Sequence, residues 1–430
     1  MNSKLLIISP HFPPANTPDC QRVRMSLSYF KDFGWDPTVL CIDSVYEDGI
    51  LDDQILNTIP SNIKIVKTKA IKMSFTKYLG INSVYWRCLP YLYNTGTRLI
   101  KENKYDLIYF STTIFPSMIL GKKWKDNFSI PYVLDIQDPW FNDYKYKQPP
   151  GGKLKYSISQ LVARIFERKV INNAEHIISV SPRYKEMYMK RYSEIPENKF
   201  SILPFGVSEN DFQTTNELNI KQDVFNANDG YKHWVYIGRG GEDLYKSLRI
   251  FFNAVSSNRK QRPSRWNKIK IHFVGTSYSG KKNAKKTIKP LAEEMGVGDL
   301  VEEQTIRVSY LESIKLLVDS DLILIFGSND LSYSPSKLYP YILSEKPMIS
   351  IFHEESHIVK FLNEIGIDEL TTYNSNTNSI DVISKLKEIL TKATSKKGLT
   401  RNNFNLTKFN KYKASHLTRL QCEIFNSCIN

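Results

Sequence analysis

Short runs of β-branched and other apolar residues alternate with helix-like stretches along most of the chain. Apolar strands separated by helices are typical of parallel sheets that are covered on both faces. The sequence therefore predicts an α/β protein built from parallel strands. The predicted strands span residues 5–9, 38–42, 63–67, 107–111, 132–135, 176–181, 201–203, 233–238, 269–275, 322–326 and 348–352.

The alternation restarts near residue 232, after a stretch rich in Asn, Asp, Gln and Thr. We interpret residues 209–231 as a linker between two Rossmann-like domains, 1–208 and 232–404. A tail at 405–430 contains an amphipathic stretch and is predicted to complete the first domain. Because ligands bind at the carboxyl ends of parallel strands, two facing domains would hold two substrates in the cleft between them.

Length and composition favour a folded protein of two domains, since the chain has 430 residues, 41% hydrophobic and 24% charged. The amino terminus lacks a signal-peptide pattern, and no window approaches the roughly 18–20 apolar residues of a membrane span. These features predict a cytoplasmic protein. The five cysteines include no Cys-x-x-Cys pair, so we expect free thiols and no metal site.

The formal net charge of +15 favours an anionic partner. Basic residues concentrate at residues 64–104, where they are interleaved with aromatic ones. That mixture suits the headgroup layer of an anionic membrane, and a solvated basic surface over an ordinary core fits equally well. Single-stranded nucleic acid would fit too, but no recognised motif supports it, so we predict no nucleic-acid partner.

The first domain offers two candidate site regions. A strand runs into a long loop that contains Pro13 and Pro14 and reaches a helix near Arg22, an arrangement whose free backbone N–H groups can bind an anion. Another strand ends in two acids, Asp135 and Asp138. An acid at a strand's carboxyl end can orient a hydroxyl or accept its proton, and we select Asp138, although a turn or helix cap at Asp138-Pro139 explains the same pattern.

The second domain opens with a strand that ends in Gly238 and Arg239 and is followed by Lys246. Two cations at such a position would stabilise negative charge on a leaving phosphate. The next strand ends in Gly275 and Thr276, which we add to the candidate site. No GxGxxG fingerprint follows either strand, so no NAD site is predicted.

Residues 307–347 read as a helix, a buried strand, a polar loop and a second helix. The loop carries Ser334, Ser336, Lys337 and Leu338, which place two hydroxyls and a positive charge near a helix start.

In their order along the chain, these motifs resemble glycosyltransferase family 4, over about residues 4–360. The element at 167–181 is similar to the family's linkage of a helix to the sixth strand, and the element at 200–207 is similar to its Ile-Pro-Asn-Gly-Val motif. The resemblance implies two facing Rossmann-like domains (the GT-B architecture). It further implies that Arg239, Lys246 and the 334–338 loop hold the donor diphosphate, with Arg22 also on the donor side.

One departure concerns the two glutamates that many members carry in this region, the second of which binds the donor ribose. Ser332 and Pro340 occupy their positions here. We therefore expect ribose recognition to be rearranged or donor binding to be weak.

The resemblance implies a retaining glycosyltransferase of the surface-polysaccharide type. It would move a sugar from a nucleoside-diphosphate sugar to a glycan or lipid-linked acceptor, with no cofactor or metal, at the inner face of the plasma membrane. Two alternatives remain open: a sugar-nucleotide epimerase on the same fold, which would need no acceptor, and a catalytically weak or inactive sugar-nucleotide-binding protein, which the changes at Ser332 and Pro340 favour.

Overall fold

The protein is represented by a computed structural model. The structure describes residues 2–47, 49, 51–76, 78, 84–141, 153–277, 284–330, 333, 335–374, 379–400 and 404–429. The chain divides into two compact units. Unit 1 comprises Met1–Gly206 and Tyr412–Asn430, and unit 2 comprises Val207–Lys411.

Unit 1 contains a parallel sheet of seven strands in the order β3-β2-β1-β4-β5-β6-β7. Its strands are β1 (Ser3–Ile8), β2 (Trp35–Ile42), β3 (Lys64–Thr68), β4 (Leu107–Ser111), β5 (Tyr132–Ile136), β6 (His176–Ser179) and β7 (Phe200–Ile202). The β4 and β5 strands are buried at every position, as expected for strands that are covered on both faces.

Unit 2 contains a parallel sheet of six strands in the order β10-β9-β8-β11-β12-β13. Its strands are β8 (Lys232–Ile237), β9 (Ile269–Val274), β10 (Val301–Gln304), β11 (Leu322–Phe326), β12 (Met348–His353) and β13 (Leu370–Tyr373). Two parallel Rossmann-like sheets confirm the predicted fold class. In each sheet the strand order reverses at one point, between β1 and β4 in unit 1 and between β8 and β11 in unit 2.

Helices connect the strands and cover the sheets. In chain order the α-helices of the described residues are α1 (Gln21–Ser26), α2 (Met73–Thr76), α3 (Val84–Arg87), α4 (Leu89–Glu102), α5 (Ile119–Phe128), α6 (Lys153–Asn173), α7 (Pro182–Arg191), α8 (Glu209–Glu217), α9 (Tyr245–Gln261), α10 (Pro263–Trp266), α11 (Lys289–Glu294), α12 (Tyr310–Asp319), α13 (Leu338–Leu343), α14 (His357–Ile365), α15 (Ser379–Ala393), α16 (Leu406–Phe409) and α17 (Ala414–Ile429).

The carboxyl-terminal helix α17 packs into the core of unit 1. Its Phe425 is fully buried and lies with its ring centre 5.0 Å from that of Tyr109 and 5.5 Å from that of Trp35. Gln421 on the same helix donates a hydrogen bond of 3.1 Å to the hydroxyl of Ser26 in α1. The two ends of the chain thus meet in one core.

The segment predicted as a linker begins with a helix, α8, that belongs to unit 2. It packs against α12, where the Tyr310 hydroxyl donates a 2.7 Å hydrogen bond to the buried Asp211 carboxylate. Among the described helices, none combines the length and apolarity needed to cross a bilayer.

Candidate active site

The candidate site of unit 2 lies where β8 and β11 separate. These strands pair only at Leu322 with Trp234 and at Ile323 with Val235. Beyond that point the hydroxyl of Tyr341, from α13, accepts from the Ile237 N–H and donates to the Ile237 carbonyl, both at 2.7 Å. The strand ends are held open in this way, at the position where open α/β sheets bind ligands.

Lys337 occupies this opening. Its Nζ atom is buried and lies 3.7 Å from the centre of the Tyr236 ring, and it makes no hydrogen bond with any described part of the chain. Burial, reinforced by the charges of Arg239 and Arg307, holds the pKa of this ammonium well below its usual value. A buried cation without a hydrogen-bonding partner is costly, and a bound anion would remove that cost.

Gly238 provides the space for the Lys337 ammonium. Its φ of +148° is disfavoured for other residues, and a Cβ placed on it would come within 2.4 Å of Lys337 Nζ. The loop that follows is fixed to β9, because the N–H of Gly238 donates to the carbonyl of Val274 and that of Gly240 to the carbonyl of Thr276, each at 2.8 Å.

Arg239 is held in place by an acid four residues further along. Its guanidinium donates two hydrogen bonds, of 2.7 and 2.6 Å, to the carboxylate of Asp243, and its face lies 4.9 Å from the Tyr333 ring. The Ser328 hydroxyl donates a further bond of 2.6 Å to that carboxylate. Hydrogen bonds from Arg239 and Ser328 outweigh partial burial and lower the pKa of Asp243. The position of the Arg239 guanidinium is therefore fixed by Asp243, whose negative charge offsets much of its positive charge.

A third cation, Arg307, follows β10. Its Cα and Cγ atoms lie 3.5 Å from where a Cβ on Gly275 would stand, and Gly275 has a φ of +74°. Thr276 beside it is buried, and its hydroxyl donates 2.6 Å to Glu303. The same carboxylate accepts backbone N–H bonds at the start of α11, so Thr276 is engaged in supporting the loop.

Lys246 lies at the start of α9 with an exposed side chain. Its Nζ atom donates 3.2 Å to the carbonyl of Asn374 and lies 5.0 Å from the centre of the Tyr373 ring. These contacts place the ammonium at the end of the edge strand β13, whereas Lys337 lies between β8 and β11.

The 334–338 loop is described only in part, because Ser334 and also Ser332 lie outside the described residues. Ser336 is exposed, and Leu338 is fully buried as the first residue of α13. Pro340 is the third residue of that helix, a position where the missing N–H has no intrahelical acceptor.

Arg22 is a buried residue of unit 1. Its Nε lies 3.0 Å from the Asp135 carboxylate, and its other nitrogens donate to the carbonyls of Leu203 and Pro204 at 2.7 and 3.3 Å. Ser111 also donates to Asp135, at 2.7 Å. The pair ties α1 to the ends of β4, β5 and β7.

Asp138 follows β5 and is exposed, whereas Asp135 lies within the strand and is buried. The Tyr184 hydroxyl donates 3.3 Å to it, and partial desolvation by the surrounding loop raises its pKa above the usual value. No helix begins there among the described residues. Asp19, which the sequence reasoning overlooked, is a buried neighbour that accepts from the N–H and the hydroxyl of Thr113 at 3.0 Å each.

In unit 2 the structure brings together Gly238, Arg239 and Lys337 from the predicted set. It adds Tyr236, Asp243 and Arg307, which the sequence reasoning did not select. Helical spacing would not have found Asp243, because residues 239–241 form a loop in which Gly241 has a φ of +136°. Three cations around the open ends of parallel strands suit a ligand with at least two negative charges.

The fold and this site define the class of a GT-B-like α/β protein with two parallel sheets and a cationic site in the second unit. Residues 74–211 match the family model described as Glycosyltransferase Family 4. The match confirms, over these residues, the resemblance that the sequence motifs predicted. No curated protein matches the chain by sequence.

Similar solved structures share the whole architecture at low identity. A UDP-forming α,α-trehalose-phosphate synthase from Burkholderia xenovorans has a TM-score of 0.62 at 10% identity, covering 100% of both chains. HepE of Anabaena, in complex with UDP, has a TM-score of 0.60 at 14% identity, covering 99% of this chain and 100% of its own. A sucrose-phosphate synthase from Thermosynechococcus elongatus has a TM-score of 0.56 at 14% identity, covering 100% of this chain and 95% of its own.

Proposed function

We propose that the chain is a retaining glycosyltransferase that moves a sugar from a nucleoside-diphosphate sugar to a glycan or lipid-linked acceptor in surface-polysaccharide synthesis. The observation that carries this proposal is the buried ammonium of Lys337, without a hydrogen-bond partner in the described chain, at the opening between β8 and β11. The solved relatives support the donor class, since one is UDP-forming and HepE is also known with UDP-glucose.

In this proposal unit 2 binds the donor. The diphosphate lies against Lys337, with Arg239 and Arg307 beside it. The negative charge of the diphosphate compensates the mutual repulsion of these three cationic residues. As the bond from the anomeric carbon to the diphosphate breaks, negative charge grows on the leaving oxygen. Cations fixed in advance on Tyr236 and Asp243 stabilise that charge without having to reorganise, so the protein's own groups carry the electrostatic work without a metal ion.

Unit 1 binds the acceptor, and Asp138 is the residue we place against its reacting hydroxyl. The carboxyl lies after β5 and faces solvent, unlike Asp135, which is engaged by Arg22. A raised pKa makes Asp138 a better proton acceptor than an ordinary surface aspartate.

We further propose that the protein works at the inner face of the plasma membrane. The lysines at 64, 67, 69, 72, 101 and 104 and Arg98 are exposed, together with Phe75, Trp86 and Tyr91. Each basic residue near an anionic surface contributes about 1 kcal/mol, which salt screens. A lipid-linked acceptor would be presented at that surface.

The deciding experiment is calorimetry with UDP-, GDP-, ADP- and CMP-sugars, followed by an assay of nucleotide release with lipid-linked glycan extracts as acceptor. We expect one nucleotide to be preferred, turnover to require an acceptor, and the product to keep the donor's anomeric configuration by NMR. Binding without release under any condition would favour the binding-protein alternative, and release of an epimerised free sugar would favour the epimerase.

A further inference from the structure

Helix α6 carries apolar side chains on two opposite faces. One face is buried in unit 1 through Ala163, Val170 and the mostly buried ring of Phe166. The opposite face consists of Leu154, Ile158, Leu161 and Ile165, which are 77%, 56%, 61% and 58% exposed. At 3.6 residues per turn these four lie within an arc of roughly 60°. We call them the α6 stripe.

A helix that is apolar on both faces is normally covered on both. The α6 stripe extends over roughly 16 Å of helix, so it is a continuous apolar strip and not a scattered surface residue. Something outside the described chain is therefore expected to cover it.

The charges around the stripe indicate what that partner is. Lys153, Arg164, Arg168 and Lys169 are exposed on the same helix, and Arg168 is bonded to Glu194 at 2.9 Å. The only acid in the sequence of α6 is Glu167, and it is buried inside unit 1, where it accepts from Arg191. A second copy of the chain would bring like charges together across a two-fold axis, whereas an anionic bilayer complements them.

Stacked rings link α6 to the basic, aromatic segment at 64–104. Phe166 lies with its ring centre 6.3 Å from that of Trp140, and Trp140 lies 5.9 Å from Phe115. The short helix Phe115–Met118 that carries Phe115 packs against α3, on which Trp86 is exposed. The buried face of α6, opposite the stripe, is thus joined to the basic, aromatic segment through one cluster of rings in unit 1.

We infer that α6 is an interfacial helix that lies on the inner face of an anionic membrane. Its stripe inserts at the boundary between headgroups and acyl chains, while its lysines and arginines contact the lipid phosphates. The inference rests on the proposed function in one respect, because it specifies how the transferase binds the membrane that presents its lipid-linked acceptor. An apolar stripe flanked by basic residues on a helix too polar to span the bilayer is the pattern of helices that lie in the membrane plane.

The test uses the full-length protein and vesicles of phosphatidylcholine, alone or with about 30% phosphatidylserine, where the surface potential attracts basic segments. We expect sedimentation with the anionic vesicles. The double variant Ile158→Ser/Leu161→Ser should lower the partition coefficient roughly tenfold to a hundredfold, since two buried apolar side chains are lost. Ile380→Ser is the matched control, because Ile380 is 70% exposed in unit 2 and should not matter.

Insertion is distinguished from adsorption by comparing each tryptophan variant with the wild type, whose six native tryptophans include the exposed Trp86. Leu161→Trp should add fluorescence that lipids brominated in the acyl chain quench, while the fluorescence added by Ile380→Trp should not be quenched. Equal partitioning of the wild type and the double variant would overturn the inference. So would a wild-type dimer that the double variant dissociates in sedimentation velocity, since the stripe would then bind a second copy.

UDP titration of the same samples separates this inference from the proposed function. If the double variant binds UDP normally but loses the vesicles, both stand. If no sample binds any nucleotide while vesicle binding still depends on the stripe, the proposed function fails and the membrane helix stands. If nucleotide binding is intact and the stripe has no effect, only the membrane helix fails.

Discussion

The ammonium of Lys337 lies 3.7 Å from the centre of the Tyr236 ring, with no hydrogen-bond acceptor among the described residues. The negative face of the ring partly compensates the charge, but it does not replace the water lost on burial. Keeping Lys337 charged in the free protein therefore costs free energy, and its pKa lies well below the usual value for that reason. An anion that receives hydrogen bonds from Lys337 relieves that cost, which makes it part of the binding energy.

Replacing Lys337 by methionine is expected to stabilise the protein and abolish nucleotide binding. The substitution keeps the length of the side chain and removes a buried group that lacks a partner, a change of about 1–3 kcal/mol in the free energy of unfolding. Chemical denaturation measures the gain. Lys385→Met is the control, because Lys385 is an exposed lysine of unit 2 and its loss should change stability by less than about 0.5 kcal/mol. A destabilised Lys337→Met protein would contradict our view of the site.

Arg239→Ala is expected to weaken nucleoside-diphosphate binding by about 1.5–3 kcal/mol, the contribution of a hydrogen bond to a charged group. Arg249 offers a matched control in the same unit, since it too makes a bidentate ion pair, at 2.8 and 3.1 Å with Glu294. Calorimetry should show a loss for Arg239→Ala and none for Arg249→Ala. Equal nucleotide affinities in the two variants would show that Arg239 does not contribute to binding.

Gly238→Ala is expected to lower nucleotide affinity by roughly tenfold or more. The new Cβ would stand 2.4 Å from Lys337 Nζ, and the φ of +148° adds backbone strain. The ammonium must move away from the position where it meets the ligand. Gly230→Ala also places a side chain at a positive φ, of +82°, but no atom lies within 4 Å of the new Cβ, so it should leave the affinity unchanged.

The fold could be predicted from the sequence because buried parallel strands have a strong local signal. The strands missed by the sequence reasoning, Val301–Gln304 and Leu370–Tyr373, lie at the two edges of the second sheet. The first alternates buried and exposed residues, and both are only four residues long, so neither shows the continuous apolar run that marks a central strand.

The site was predicted less completely, for reasons of geometry. Gly238, Arg239 and Lys337 belong to motifs whose residue types suggest phosphate binding. Tyr236, in contrast, lies in an apolar strand that predicts a core residue, although its ring contacts the Lys337 ammonium. Arg22 and Thr276 were predicted to bind ligand, but Arg22 forms an ion pair with Asp135 and donates to backbone carbonyls, and the Thr276 hydroxyl donates to Glu303. Sequence shows the type of a side chain, but not whether its hydrogen bonds are already made.

Asp138→Asn is expected to reduce kcat in the nucleotide-release assay by about 10²-fold, within the range of general-base catalysis, while UDP affinity stays unchanged. Since the pKa of Asp138 is raised, the activity that depends on its ionised form should fall as the pH drops through a value above that of an ordinary aspartate. The acidic limb of the pH profile should therefore disappear in the variant. A variant with normal kcat and an intact acidic limb would exclude Asp138 from catalysis.

Binding of a nucleoside diphosphate is expected to take up a proton through Lys337. In the free protein its pKa lies well below the usual value, so the folded site holds fewer protons than an exposed lysine would. The diphosphate restores the charged form and raises that pKa. Between the free and bound pKa values the complex therefore holds more protons than the free protein, and affinity falls as the pH rises through this window.

Calorimetry of UDP binding near pH 8, in buffers of different ionisation enthalpy, measures the proton uptake. At that pH the nucleotide's own phosphate contributes little, because its second pKa is about 6. We expect an uptake of up to about one proton per UDP. Lys337→Arg, which stays charged in both states, should retain binding without the uptake. Heats that do not depend on the buffer in the wild type would show that Lys337 is already protonated, and the buried ammonium would then have a partner in solution.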